Sequence, residues 1–248
     1  TVLYLNRGYI NSRALSEPKI TDDGVIEFEV IEGRIGKIEV YGLRGVNLSY
    51  ICERVRLGAG IPLNSSELEN QLRLLRSDPL FDNIEASLRA PDNEKDKRPG
   101  ESTLVVRVKE ANPFVASVSV DNYFPPVVGS ERFGIELRDR NLTGMGDELA
   151  ASYYRSFTGG AEVWDFIYRV PLNPMNGTLQ LRAAPSRNRI TEEPFDKLGV
   201  RGTQELYDIN YRQPLVRSPN EEFALSLSFT YQNGQTFILN DQPTPFLF

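Results

Sequence analysis

At Asn112-Pro113 the spacing of apolar residues changes from helical to alternating, and no single kind of element satisfies both patterns. Before the change, Leu48, Ile51, Cys52 and Val55, then Leu68, Leu72, Leu75 and Leu80, fall at helical spacing and predict two helices within residues 47–81. The first starts after Asn47, a good N-cap type, and ends near Leu57-Gly58, where glycine would take a left-handed closing conformation. Asn64-Ser65-Ser66-Glu67, spaced like a capping box, announces the second. Strands are predicted around the pair. Residues 35–41 set Ile35, Lys37, Glu39 and Tyr41 against Gly36, Ile38 and Val40, and residues 83–89 and 102–109 follow the helices, joined by a charged loop at 91–100. The order strand, helix, helix, strand, strand makes an α+β unit.

Residues 1–33 read as the tail of a similar unit: the end of a helix over 1–8, a strand over 11–18 and another over 25–30. Residues 25–32 and 103–110 both alternate and both close on an acid, Glu32 and Glu110, which is a weak internal repeat. The opening Thr1-Val2-Leu3-Tyr4-Leu5 reads as the inside of an element, so the natural N-terminus is expected upstream and the lack of a signal peptide carries no information.

After Asn112-Pro113 the period is two. Ala116, Val118 and Val120 oppose Ser117, Ser119 and Asp121, and Phe133, Ile135 and Leu137 oppose Arg132, Glu136 and Arg138. Trp164, Phe166, Tyr168 and Val170 form a further apolar row, and Leu179, Leu181 and Ala183 oppose Thr178, Gln180 and Arg182. Tyr207, Ile209 and Tyr211 oppose Asp208, Asn210 and Arg212; Phe223, Leu225, Leu227, Phe229 and Tyr231 oppose Ala224, Ser226, Ser228 and Thr230. About seven strands of roughly ten residues are predicted, a length that crosses a bilayer at a tilt. Turn residues at 141–147, 171–177 and 214–220 are compact, whereas residues 184–203 read as a long loop, and short turns facing longer loops are a mark of outer-membrane barrels. A soluble two-sheet sandwich shows the same alternation but usually in shorter strands.

Composition excludes several functions. The net charge of −6, without a basic stripe, argues against a nucleic-acid partner. No run approaches the roughly 18 apolar residues of a membrane-spanning helix, although β-strands escape that test. There is no histidine, the lone Cys52 fits a small core residue, and the nearest carboxylate pair, Glu192-Glu193, falls in the long loop, so neither catalysis nor a metal or other cofactor is expected.

Several segments together resemble one family. Arg7-Gly8-Tyr9-Ile10, Asp23-Gly24-Val25 and Val30-Ile31-Glu32-Gly33-Arg34-Ile35 are similar to the end of the first POTRA domain of the haemolysin secretion/activation family, the TpsB transporters of two-partner secretion. Pro62-Leu63-Asn64, Leu74-Leu75-Arg76-Ser77-Asp78-Pro79-Leu80, Pro99-Gly100-Glu101-Ser102 and Val108-Lys109-Glu110 resemble its second POTRA domain. Asp121-Asn122-Tyr123 resembles the first barrel strand, and Asn141-Leu142-Thr143-Gly144-Met145-Gly146-Asp147 its first periplasmic turn. Val200-Arg201-Gly202-Thr203 is only superficially like the family's Val-Arg-Gly-aromatic motif, because it lacks the aromatic residue and comes too early.

The resemblance implies α+β POTRA domains (β-α-α-β-β) followed by an antiparallel transmembrane β-barrel, present here only as its N-terminal strands. The expected domains are the C-terminal part of a first POTRA domain at 1–33, a second at 34–112 and the start of the barrel at 113–248. It implies an outer-membrane pore, POTRA domains in the periplasm, that captures an unfolded secreted exoprotein and passes it outward; partners would be that exoprotein and membrane lipid. A barrel-assembly insertase of the same superfamily, or a soluble periplasmic scaffold, are the alternatives. The expected client-binding edge is Asn83, Ile84, Glu85, Ala86, Ser87, Leu88 and Arg89, by β-augmentation. The expected lumen lining is Ser117, Ser119, Asp121, Glu136, Arg138, Asp208, Asn210 and Arg212.

Overall fold

A computed structural model describes residues 2–14, 19–20, 22–91, 99–238 and 242–244. The charged stretch 92–98 and part of the strand expected over 11–18 lie outside the described residues. The chain separates into two compact units, Thr1–Ala111 with Val216–Phe223, and Asn112–Leu215 with Ala224–Phe248.

The first unit opens with α1 (Val2–Asn6) and two small antiparallel ladders: β1 (Arg13–Ala14) pairs with β4 (Val30–Ile31), and β2 (Lys19–Ile20) with β3 (Ile26–Glu27). The strand predicted over 25–30 is therefore split, because its two ends pair with different partners. Then come β5 (Arg34–Tyr41), α2 (Leu48–Arg56), α3 (Ser65–Arg76), β6 (Phe81–Arg89) and β7 (Glu101–Glu110). Their sheet runs β5-β7-β6, with β5 parallel to β7 and β6 antiparallel to it. Parallel neighbours need a crossover, and α2 and α3 lie in the connection from β5 that ends at β7.

Ile51, Val55, Leu63, Leu75, Ile84, Leu104 and Val106 are almost wholly buried in one cluster between helices and sheet. Truncating one of the larger of these to alanine would cost about 2–5 kcal/mol. The strict alternation predicted for 35–41 fails at its start. A register shift between Ile35 and Lys37 lets Ile35, Ile38 and Val40 all pack on the core, as a bulge does by inserting one residue.

The helix ends also differ from expectation. Asn64 caps α3 as predicted, its Oδ1 accepting the N–H of Ser66 at 2.9 Å and of Glu67 at 3.4 Å. Asn47 precedes α2 without any side-chain cap bond. Gly58 does not take a left-handed closing conformation; a Cβ there would meet Glu67 O at 2.6 Å and Gln71 Cγ at 2.8 Å. Glycine is required at that point by the close approach of the chain to α3. Cys52 is half-buried, and burial raises its thiol pKa, which suits a packing residue.

The second unit is a meander: β8 (Phe114–Asp121), β9 (Arg132–Asp139), β10 (Glu148–Ser156), β11 (Ala161–Pro171), β12 (Thr178–Ala183), β13 (Ser186–Arg189), β14 (Arg201–Arg217), β15 (Glu222–Ile238) and β16 (Gln242–Thr244). They form one sheet in the order β16-β15-β14-β12-β11-β10-β9-β8, with β13 between β11 and β14. Ala183 pairs with Tyr207 and Ser186 with Gln204, so β12 and β13 are one strand in one register, interrupted at Ala184-Pro185. Proline lacks a donor, but Pro185 O still accepts the N–H of Trp164 at 3.0 Å. Residues 184–203 are thus strand at both ends, and the irregular part shrinks to 190–200. The difference arises because a proline within a strand reads locally as a loop residue. The connection at 157–160, at the same end of the sheet as 190–200, is as tight as the turns at the other end, so loop length alone does not distinguish the two ends.

Candidate functional site

Register fixes which side chains share a face, because successive residues of a strand point to opposite sides. Ser117 pairs with Glu136 and Val115 with Arg138 across β8 and β9; Glu136 pairs with Ser152, Ser152 with Asp165, and Ile167 with Arg182. Arg182, Gln180 and Thr178 then pair with Asp208, Asn210 and Arg212. Ser117, Ser119, Asp121, Glu136, Arg138, Asp208, Asn210 and Arg212 therefore all fall on one face of one sheet.

The strands between them supply the residues that the sequence reading missed. On the same face, Asp121 pairs with Arg132 at 2.6 Å, Arg138 with Glu136 at 2.5 Å, and Arg182 with Asp165 at 2.6 Å. Glu148 lies 3.6 Å from Arg138 and 3.5 Å from Arg169, whose guanidinium also donates to Gln180 at 2.7 Å. Thr230 donates to Asp208 at 2.8 Å and Asn210 to Ser228. Charged and amide groups thus link β8 through β12, and hydroxyl, amide and carboxylate groups link β14 to β15. Gly134, opposite Tyr154, leaves the place where that ring lies; a Cβ would meet Tyr154 Cε1 at 2.5 Å, and the Arg132 guanidinium sits 4.4 Å above the ring. Arg132 already stood in the polar row read from the sequence; the signal for Glu148, Asp165 and Arg169 was their parity, which strand registers make usable.

The other face is apolar over most of its length, and no described residue covers it. Val118 is 77% exposed, Leu227 76% and Phe229 68%, and Leu137, Trp164, Phe166, Leu181, Ile209, Phe223 and Leu225 are exposed as well. Among the described residues of this unit, Val128, Ala150, Ala161 and Pro214 are the buried apolar side chains, too few to make a core. Aromatic contacts run along this face: Phe133 with Tyr153, Tyr153 with Trp164, Tyr207 with Tyr231.

The turn at 141–147 is locked from inside. Asp147 is fully buried and accepts from Thr143 N at 2.9 Å, Thr143 Oγ1 at 3.0 Å and Tyr168 Oη at 3.0 Å; Asn141 Oδ1 accepts from Gly146 N at 3.0 Å. Val200-Arg201-Gly202-Thr203 enters β14 and is no inward-folded loop.

In the first unit, β6 is an edge of its sheet, paired among the described residues with β7 alone. All seven expected edge residues, 83–89, lie on it. Ile84 O points away from β7 and accepts from Arg76 Nη2 at 3.1 Å and Nε at 3.3 Å, a protection that the sequence reading did not include. By the two-residue alternation of an antiparallel ladder, the backbone groups of Ala86 and Leu88 face the same open side. Arg89 is held by Glu39 at 2.5 Å, and the hydrogen bonds of Lys37 and Tyr41 hold the Glu39 carboxyl below its usual pKa. Among the described residues no group of side chains is arranged to hold a metal ion, and no helix is long and apolar enough to cross a membrane, which does not bear on strands.

Residues 100–243 match the family described as haemolysin secretion/activation protein ShlB/FhaC/HecB. The heme/hemopexin transporter protein HuxB of Haemophilus influenzae (strain 86-028NP) is 22% identical over 93% of this chain and 40% of its own length. The outer membrane transporter CdiB-2 of Burkholderia pseudomallei (strain 1026b) is 22% identical over 94% of this chain and 39% of its own. The solved structure of CdiB from Escherichia coli superposes with a TM-score of 0.72 at 21% identity, over 98% of this chain and 44% of that one, and shows that the fold is shared. The chain spans about two fifths of the length of the curated relatives it matches. Because the matched residues cover more than half of its 248, this chain belongs to the haemolysin secretion/activation family.

Proposed function

We infer that this chain forms part of the wall of an outer-membrane pore that secretes an unfolded exoprotein, with its first unit facing the periplasm as POTRA modules. The carrying observation is the two-faced sheet. A soluble protein buries such an apolar face against a second layer, whereas lipid covers it at no such need. The opposite face, with paired charges, hydroxyls and amides, gives an extended polypeptide a wet surface that offers hydrogen bonds without an apolar site to hold it.

Residues 34–111 have the β-α-α-β-β order of a POTRA module, and residues 1–33 are read as the tail of another. The open side of β6 at Ala86 and Leu88 can add a client strand by main-chain hydrogen bonds. Such capture is weak, because each ordered residue loses about 1–2 kcal/mol of backbone entropy. Weakness suits transport, since the client has to move on.

Single cysteines at Asn210 and Ile209 in the full-length protein test the reading, as neighbours on opposite faces. With a secreted exoprotein stalled in transit, Asn210→Cys is expected to cross-link to it and Ile209→Cys to lipid-soluble reagents only. Cross-linking of the exoprotein at Ile209→Cys, or at neither site, would overturn the assignment. Trapping of an unfinished barrel protein instead would turn the function to membrane insertion.

A further inference from the structure

We propose that Arg155, Arg187, Arg189 and Arg201 form a binding site on the apolar side of the sheet for the phosphorylated headgroup of a membrane lipid. The inference rests on the pore-wall reading above and adds a ligand to it. Arg155 pairs with Glu162, Glu162 with Arg187, Arg187 with Thr203, and Arg189 with Arg201, so all four arginines share the face of Trp164, Phe166 and Leu181. They line one groove of about 490 Å³ and all four are exposed. Among the described residues no ion pair joins Arg155, Arg187 or Arg189, in contrast to Arg132, Arg138, Arg169 and Arg182 on the polar face.

Depth supports a lipid. Arg155 follows Tyr153 by one outward step, and on β14 the outward row runs Tyr211, Ile209, Tyr207, Glu205, Thr203, Arg201. Aromatic rows mark the level of lipid headgroups, and these arginines lie at that level and just beyond it. They sit at the end of the strands away from the turns at 141–147 and 172–177. Guanidinium forks match phosphate oxygens, and basic clusters beside a lipid surface attract anionic headgroups. The Arg201 guanidinium lies 5.3 Å from the Phe237 ring centroid, so the groove also offers an apolar wall. Glu162 is the acid within it; its Oε1 accepts from Tyr153 Oη and Trp164 Nε1, both at 3.3 Å, which spreads its charge toward the aromatic row. Arg155, Arg187 and Arg189, without ion pairs among the described residues, outnumber the acids beside them on this face, Glu162 and Glu205, and leave the groove positive.

The test uses the full-length protein inserted in phosphatidylcholine nanodiscs and titrated with a bisphosphorylated glycolipid, with its dephosphorylated form, and with inorganic phosphate. The phosphorylated lipid is expected to bind about tenfold or more tightly than the dephosphorylated one. The triple variant R155Q/R187Q/R189Q should lose that preference, and each single replacement part of it, with strand content checked by circular dichroism. Equal affinity for both lipids, or an unchanged preference in folded single variants, would overturn the proposal. Displacement of the lipid by inorganic phosphate at equal concentration would overturn it in favour of a free-anion site. Failure to enter neutral nanodiscs would instead refute the pore-wall reading, and the lipid site with it.

Discussion

Replacing Glu110 by alanine should loosen the end of β7. Its carboxylate is gripped by three successive backbone donors: Arg44 N at 2.7 Å, Gly45 N at 2.9 Å and Val46 N at 3.1 Å. Burial by itself would raise the Glu110 pKa, but these three amides outweigh it and hold the carboxyl below its ordinary 4.5. A hydrogen bond to a charged group contributes about 1.5–3 kcal/mol, and water can reach this site, so the whole set is expected to be worth about 2 kcal/mol. With a urea slope of about 1–2 kcal/mol per molar, Glu110→Ala should lower the unfolding midpoint of residues 1–112 by roughly 1–2 M. Circular dichroism reads the midpoint, and hydrogen exchange should show lost protection at residues 44–46. The sign with pH follows from a lowered folded pKa. The contribution is complete above the unfolded pKa and disappears as pH falls through the folded one, so wild type and Glu110→Ala should converge in acid. A midpoint shift below about 0.3 M at neutral pH, or a difference that persists in acid, would refute the reasoning.

Leu227→Arg probes the exposed apolar face: near the middle of a bilayer it should cost about 2–4 kcal/mol in unfolding from lipid vesicles. A cost within about 0.5 kcal/mol, as at an ordinary protein surface, would count against lipid there. Asp147→Ala removes the acceptor of Thr143 and Tyr168 from a buried place, and should cost about 2–3 kcal/mol in the same assay. If the turn at 141–147 keeps its resistance to proteolysis in that variant, the carboxylate is not what locks it.

Much was legible in the sequence because local rules were in force. The change of period at Asn112-Pro113, the α3 cap at Asn64 and the polar rows of β8, β9 and β14 follow from repeat lengths of 3.6 and 2, which need no knowledge of partners. Signals that depend on a neighbour were lost. Gly58 is a glycine because α3 passes close by, and the bulge at Ile35 and Lys37 exists because β7 sets the register. The continuity of β12 and β13 through Pro185 comes from the ladders on both sides, which outweigh a residue that locally reads as loop.

The candidate sites divide in the same way. Each polar row could be read strand by strand, but only the pairing of strands set Asp121 beside Arg132, Asp165 beside Arg182 and Glu148 among three arginines. The outward arginines at 155, 187, 189 and 201 come from three strands and were invisible as a group for that reason. By itself the sequence determined which residues could face lipid or water, since side-chain alternation is a property of one strand. The tertiary structure decided which of them meet, because register is set by hydrogen bonds between strands far apart in the chain.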